Sequence, residues 1–408
     1  MNVKFEQQFF VSNRNKLRNL FVGTAPIVLT ANGLLQRNAD NTYLFRQDSS
    51  FWYFTGIEIP GAILVIEKDR EYLIIPKKSD FSIIAEGEAD LENVRRVSGV
   101  ETIYDEEIGW KQLNSKIKKV KHVATIVPAE EYIKTMGLYT NPTKRLLSIR
   151  LKDTNPQIIF LDIRQHISKL RCIKQSPEIR AIREAITITN KTISNIYKNI
   201  TNFKYEYEIE AVVLSEFKKQ NADLAYPPII ASGLNACVLH YSKNDTKLEP
   251  KDLILIDVGA SVSNYASDIT RTFSLKHNPN NRQLAVLKSV LDVQKFAQNL
   301  MKPGLDAKKY ELEVERFMGE QLRELGLIRT ITHDLVRKYY PHSTSHFLGL
   351  DPHDIGDYKS PFEEDMVLTI EPGIYIPEEG IGVRIEDDYL LTKDGCLNLS
   401  ANLPTYVK

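Results

Sequence analysis

The sequence predicts an α/β domain over residues 1–170 joined to an α+β domain over residues 171–408. Three observations point that way. Short apolar runs alternate with polar, helix-compatible stretches from Ala25 to about Ile167, a strong helix start stands at Ser176-Pro177-Glu178, and strand pairs appear around residues 252–275 and 366–392 with helical sequence between them.

Taken in order, residues Met1 to Leu20 mix Lys4, Glu6, Arg14, Lys16 and Arg18 among apolar residues. That pattern predicts an amphipathic helix, and it lacks the uninterrupted apolar stretch of a signal peptide or a spanning helix. Gly61 to Ile66, Tyr72 to Ile75 and His122 to Val127 read as strands, and Ala89 to Val97 as helix. Ser176 as N-cap, Pro177 at the first helical position and Glu178 as an early acid predict a long helix through about Ile200, which puts a domain boundary near residue 170. A second helix, a strand pair, a helix with Leu284, Leu287 and Leu291 on its apolar face, and a second strand pair complete the chain. No low-complexity tract and no tandem repeat interrupts it.

A length of 408 residues suits two or three domains of roughly 150 residues, and a 42% hydrophobic content is enough for ordinary cores. Lys plus Arg and Asp plus Glu are 53 each, so no global field draws the chain to nucleic acid or to an anionic membrane. A small neutral or zwitterionic substrate fits that balance. Cys172, Cys237 and Cys396 are odd in number and far apart, neither a disulfide framework nor a metal knuckle, so the expected compartment is a reducing cytoplasm.

The chemistry is carried by two hairpins. In the first, Leu253 to Gly259 leads into a turn at Ser261 to Asn264 and returns through Tyr265 to Phe273; counting from the Val262-Ser263 midpoint sets Asp257 opposite Asp268. In the second, Val367 to Ile376 turns at Pro377 to Gly380 and returns through Ile381 to Tyr389, setting Glu371 opposite Glu386. Directly opposed like charges are destabilising, and an unpaired carboxylate in an apolar strand is costly to bury. Singly, Asp257 reads as turn chemistry and Glu386-Asp387-Asp388 as a solvated acidic run. Two hairpins posing the same electrostatic problem read instead as one shared metal site.

Between the hairpins lies His342-Ser343-Thr344-Ser345-His346, continuing to His353, the densest histidine cluster in a chain with eight. His342 reads as a surface histidine and His346 as an imidazole ligand. Four carboxylates and one histidine form an oxygen-rich set suited to Mn²⁺, Fe²⁺ or Co²⁺, with Zn²⁺ also compatible. Four negative charges exceed what one divalent ion neutralises, so two divalent metal ions are expected, with Mn²⁺ foremost.

These residues resemble the proline-specific aminopeptidases of the pita-bread metallopeptidase family, which includes prolidase, methionine aminopeptidase and creatinase. The resemblance is carried by Ile256-Asp257-Val258-Gly259, Ser267-Asp268-Ile269-Thr270-Arg271-Thr272-Phe273, Ser345-His346 through His353-Asp354, Thr369-Ile370-Glu371-Pro372-Gly373 and Val383-Arg384-Ile385-Glu386, all in the family's order. Phe45 to Gly56 resembles the N-terminal domain of bacterial aminopeptidase P.

By that resemblance, residues 1–170 form a creatinase/aminopeptidase P-like α/β domain and residues 171–408 a pita-bread metallopeptidase domain. Asp257 would bind one ion, His346 and Glu371 the other, and Asp268 and Glu386 both, with a metal-bridging hydroxide as nucleophile and Glu371 as general base. His353 and His240 would contact the substrate, and Arg384 would guard the pocket; by itself His240 reads equally as a core histidine on a strand. The implied substrate is a peptide with proline in second position, and the implied assembly is a homo-oligomer, dimer or tetramer. Tyr226 and Tyr375 are candidates to contact the proline ring, although an aromatic near such a hairpin more often reads as packing. A prolidase is the nearest alternative, and a non-catalytic peptide-binding module of the same fold the remote one.

Overall fold

The computed structural model describes residues 3–128, 135, 137–276 and 278–405. The chain divides into two compact units, Phe5–Leu170 and Arg171–Lys408, the latter with Met1–Lys4 attached.

The first unit is built on a six-stranded sheet. Its strands are β1 (Ile27–Thr30), β4 (Ile63–Ile66), β5 (Glu71–Ile75), β6 (Ile103–Asp105), β7 (His122–Thr125) and β8 (Ile159–Asp162), in the order β6-β5-β4-β1-β7-β8; β2 (Gln36–Asn38) and β3 (Asn41–Thr42) form a separate exposed hairpin. The fully buried runs of β1 and β4 explain why they read as continuous apolar stretches rather than alternating ones.

The expected N-terminal helix spans Gln7–Leu20, while Met1 and Asn2 lie outside the described residues. It buries Phe9, Phe10 and Leu17, and with them Arg14. The Arg14 guanidinium donates to Glu71 at 2.7 and 2.9 Å and to the carbonyls of Phe54 and Ser98 at 2.7 and 2.8 Å, so the buried cation is matched by a carboxylate and two dipoles. The aromatic motif forms the helix Ser49–Thr55, capped by Asp48, whose carboxylate accepts from the Phe51 N–H at 2.9 Å.

The second unit opens with the long helix Ser176–Lys198. Its N-cap is Gln175, one residue before the expected Ser176, because the Glu178 carboxylate reaches back to the Gln175 N–H at 2.9 Å and fixes the entry there. Helices Glu206–Lys219, Asn281–Leu300, Ala307–Glu324 and His333–Tyr339 follow. Val286, Leu287, Val290 and Val293 of Asn281–Leu300 pack with Tyr310, Val314 and Met318 and with strand residues Leu368, Ile370, Ile374 and Val383. Leu287 is buried, and Leu284 and Leu291 are half-buried.

The strands of this unit are β9 (Asp223–Leu224), β10 (Ile229–Ser232), β11 (Leu253–Val258), β12 (Ala260–Val262), β13 (Tyr265–Ala266), β14 (Ile269–Ser274), β15 (Val367–Ile370), β16 (Gly373–Ile376), β17 (Ile381–Arg384), β18 (Asp387–Thr392) and β19 (Gly395–Asn398). They make antiparallel ladders β10-β11-β14, β13-β12-β9, β15-β18-β19 and β16-β17.

The first hairpin departs from the expected register. Asp257 pairs with Thr270 and Val262 with Tyr265, so the turn is Ser263-Asn264, both residues with positive φ (48° and 70°), the geometry of a two-residue hairpin turn. The turn midpoint therefore lies one residue later than the count assumed, which moves every partner by two positions. A shift of two keeps the face, so Asp268 stays on the side of Asp257 but diagonal to it, opposite Gly259 on the continued register. A Cβ at Gly259 would sit 2.0 Å from the Ser267 carbonyl oxygen, so only glycine fits beside Asp268.

The second hairpin keeps the expected register. Ile370 pairs with Asp387 and Gly373 with Arg384, which leaves Glu371 opposite Glu386 in the gap between the two ladders.

Candidate metal centre

The eight site residues expected from the sequence, Asp257, Asp268, His346, Glu371, Glu386, His240, His353 and Arg384, all line one cavity of about 930 Å³ in the second unit. Asp257 sits within β11, whereas Asp268, Glu371 and Glu386 each stand where a ladder stops, with the backbone N–H satisfied elsewhere. The Glu371 N–H donates to the Thr344 carbonyl at 2.8 Å, the Glu386 N–H to the Thr270 carbonyl at 3.1 Å and the Asp268 N–H to Asp388 Oδ2 at 3.1 Å. The two hairpins and the histidine loop are thus laced together at the residues that carry the chemistry.

Ligand atoms of Asp268, His346 and Glu386 lie within 4.8 Å of one another. Glu371 Oε1 joins them at 3.1 Å from His346 Nε2. Asp257 is linked through Tyr226, whose hydroxyl contacts Asp257 Oδ1 at 2.6 Å and Asp268 Oδ1 at 2.5 Å. The other Asp257 oxygen meets Arg384 at 2.5 Å.

The electrostatics are those of a site short of positive charge. Burial, then the Asp257 charge, pushes the Asp268 carboxyl up to about 8. Burial, then the charges of Asp268 and Glu371, holds Glu386 well above the carboxylate range. Burial would also raise Glu371, but its hydrogen bond and ion pair with His346 override that and hold it at about 2. Burial would lower His346, yet the same Glu371 contact and the Asp268 charge lift it to about 9. Acids that must take up protons to lie together are acids that cations would relieve, and four carboxylates with one imidazole are a donor set that fits divalent ions.

His353 stands exposed at the cavity with its ring 4.2 Å from that of His346, and its pKa is lowered by burial and then by the His346 charge. His240 lies in an exposed turn after the 3₁₀ segment Gly233–Cys237, not on a core strand. Arg384, buried, spans Asp257, Thr270 Oγ1 at 3.2 Å and the Tyr375 hydroxyl at 2.8 Å. Thr270 in turn donates to Glu386 at 2.6 Å.

Three participants escaped the sequence reading. Tyr226 and Tyr375 are not packing residues, since each places its hydroxyl among the charges of the site, and burial raises both, Tyr375 to about 12. His342 is not a surface residue; its Nε2 meets the Tyr375 hydroxyl at 2.8 Å and its Nδ1 lies 3.8 Å from Glu371. Its spacing of four from His346 was the available signal. The tyrosines offered none, because their partners are 31 residues away for Tyr226 and nine for Tyr375.

The comparisons with known proteins agree with this geometry. Residues 180–393 match the model of metallopeptidase family M24, and residues 10–126 that of the aminopeptidase P N-terminal domain. A Xaa-Pro aminopeptidase of Haemophilus influenzae is 34% identical, covering 98% of this chain and 96% of its own; that of Escherichia coli is 30% identical, covering 97% and 95%. A solved structure of E. coli aminopeptidase P superposes with a TM-score of 0.86 at 28% identity over 98% of this chain and 96% of that one. With both family models matched in order and two buried carboxylate hairpins converging on one histidine, the chain belongs to metallopeptidase family M24, with an aminopeptidase P N-terminal α/β domain and a pita-bread catalytic domain.

Proposed function

We infer that this protein is a Xaa-Pro aminopeptidase, releasing the N-terminal residue from peptides with proline in second position. The observation that carries the reading is the convergence of Asp257, Asp268, His346, Glu371 and Glu386 in one cavity, in a chain similar along nearly its whole length to two Xaa-Pro aminopeptidases. Those five residues would hold two divalent ions, and Mn²⁺ is the ion we assign to the oxygen-rich set. When bound, such ions acidify water and polarise a carbonyl oxygen.

The chain's own residues supply the rest. Glu371, a carboxylate 3.1 Å from His346 in the same cavity, is placed to accept a proton from the attacking water. His353 and His240, both at the cavity, donate to the scissile carbonyl region and the peptide backbone. Arg384 keeps Asp257 in place through its contact and adds positive charge beside the reacting group. Proline at the second position removes the scissile N–H and presents a ring, and Pro227, Ile229 and Leu239 provide an apolar stretch of cavity wall for it.

A cytoplasmic homo-oligomer, dimer or tetramer, belongs to the same reading. The compartment is supported by the cysteines, odd in number and far apart in the sequence, which make no disulfide framework. Sedimentation showing active monomer alone would reject the assembly. The activity is tested with Ala-Pro-Ala, Ala-Pro and Ala-Ala-Ala, using metal-stripped protein with and without added Mn²⁺. Metal-dependent release of alanine from Ala-Pro-Ala is expected. Cleavage of Ala-Pro alone would make the protein a prolidase, and cleavage of none would leave a peptide-binding module.

A further inference from the structure

Residues 349–356, which carry His353, have no regular secondary structure. Because the His353 ring is exposed at the cavity, the loop backbone sets its position. That backbone is held from outside by the Asp354 N–H on the Phe347 carbonyl at 2.8 Å, the Ala266 N–H on the Gly349 carbonyl at 2.8 Å and the Cys172 thiol on the Ile355 carbonyl at 3.5 Å, and is closed on itself by the Gly349 N–H on the Asp351 carbonyl at 3.1 Å.

Behind it lies a buried charge network with no part in the metal set. The Asp354 side chain is 1% exposed and meets Arg171, 2% exposed, and Lys174, 0% exposed, the latter at 3.3 Å. Arg171 also bonds Asp351 at 2.8 Å, so one guanidinium grips the loop on both sides of His353. The segment bearing these cations is itself fastened, by the Lys174 N–H on the Asp365 carbonyl at 2.9 Å and an isolated bridge from Ile173 to Met366. A Cβ at Gly349 would fall 2.1 Å from Asp354 Oδ2, so the carboxylate is also boxed in sterically.

Burying three charges is costly before pairing, and apolar residues of similar volume often serve stability as well or better. What a rigid ionic clamp supplies that packing does not is fixed geometry. We propose that Arg171, Lys174 and Asp354 are positioning residues that hold the His353 loop at the cavity wall, and so set turnover through His353 without touching substrate. The proposal rests on His353 acting on the substrate, as inferred above.

The test uses the metal-loaded full chain and Ala-Pro-Ala. Asp354→Asn weakens the clamp; Gly349→Ala keeps every charge but pushes on the carboxylate. Each is made alone and combined with His353→Ala. Each single variant is expected to lower kcat about 10–100-fold, the scale of a misplacement near 1 Å. In the His353→Ala background each should add less than about 2-fold, because the residues act through one group. In Zn²⁺-loaded protein, whose ion is diamagnetic, the His353 Hε1 resonance, identified by its loss in His353→Ala, should shift in both single variants while bound metal per chain stays constant.

Losses that multiply in the double variants, or an unmoved His353 resonance in folded protein, would overturn the proposal. If His353→Ala leaves turnover unchanged, the substrate role given to His353 fails, and the resonance still decides the positioning. If neither variant folds, the network is a folding element and the proposal is wrong.

Discussion

Stripping the metal should make the stability of the catalytic unit fall as pH rises. Glu386 and Asp268 carry it, both pushed up by burial and by the charges of neighbouring carboxylates, and Asp268 sets the scale. Its carboxyl is pushed from 3.8 to about 8 in the folded chain, so between those values the folded state keeps a proton that the unfolded chain has released. The stability it contributes is complete below about pH 4 and is lost as pH rises through about 8, at about 1.4 kcal/mol per pH unit. His346, raised from 6.5 to about 9, adds a loss of the same sign above neutrality. Glu371, lowered from 4.5 to about 2, works the other way, its contribution being present above 4.5 and lost on acidification, so it adds no slope above pH 5. Between pH 5 and 7, Asp268 alone removes about 3 kcal/mol, or roughly 6–12 °C of Tm for a unit of this size.

Ligands bound to divalent ions stay deprotonated, so the loaded protein lacks this slope. Calorimetry of stripped and Mn²⁺-loaded protein at pH 5, 6 and 7 reads the gap in Tm directly. Glu178, which burial pushes up to about 7, titrates in both forms and cancels in the difference. The gap should widen by at least roughly 6–12 °C across the range, and Asp268→Asn should reduce the slope of the stripped form, leaving the part that Glu386 contributes. A gap that stays constant or narrows would refute the reasoning.

Other substitutions test other parts. Glu371→Gln should lower kcat by roughly 10²–10⁴-fold in a protein that still folds, and unchanged turnover would reject it as the base. Tyr226→Phe removes contacts to two carboxylates and should weaken metal binding about 10–100-fold in a chelator competition; equal affinity would show the hydroxyl to be incidental. Arg14→Met leaves Glu71 with Arg18 alone and strips the Phe54 and Ser98 carbonyls of their donor, and should cost the N-terminal unit about 1–3 kcal/mol in denaturant unfolding; an unchanged midpoint would show the contacts to be incidental.

The parts of the molecule that were legible are those fixed by local pattern. Pro177 and Glu178 mark a helix start because capping chemistry is local, although the reach of Glu178 moved the cap to Gln175. The second hairpin was readable because its polar turn is centred on Glu378-Glu379 and closed by Gly380 at φ 62°. The first misled by one residue because Ser263 adopts a left-handed backbone that serine seldom signals. Fully illegible were contacts made by tertiary closure. Arg384 and Asp257 are 127 residues apart, and only the folded sheets bring them together.

The lacing of Glu371, Glu386 and Asp268 to distant backbone has a kinetic consequence. The Thr270–Glu386 contact closes 116 residues of chain and the Asp268–Asp388 contact 120, so a coordination sphere made by the proposed ligands would exist only after both hairpins have docked. Divalent ions then arrive too late to act as a nucleus. Refolding proceeds at the rate set by long-range strand pairing, with or without them, and their effect falls on the unfolding limb, where they lengthen the lifetime of a structure that the chain has already built alone.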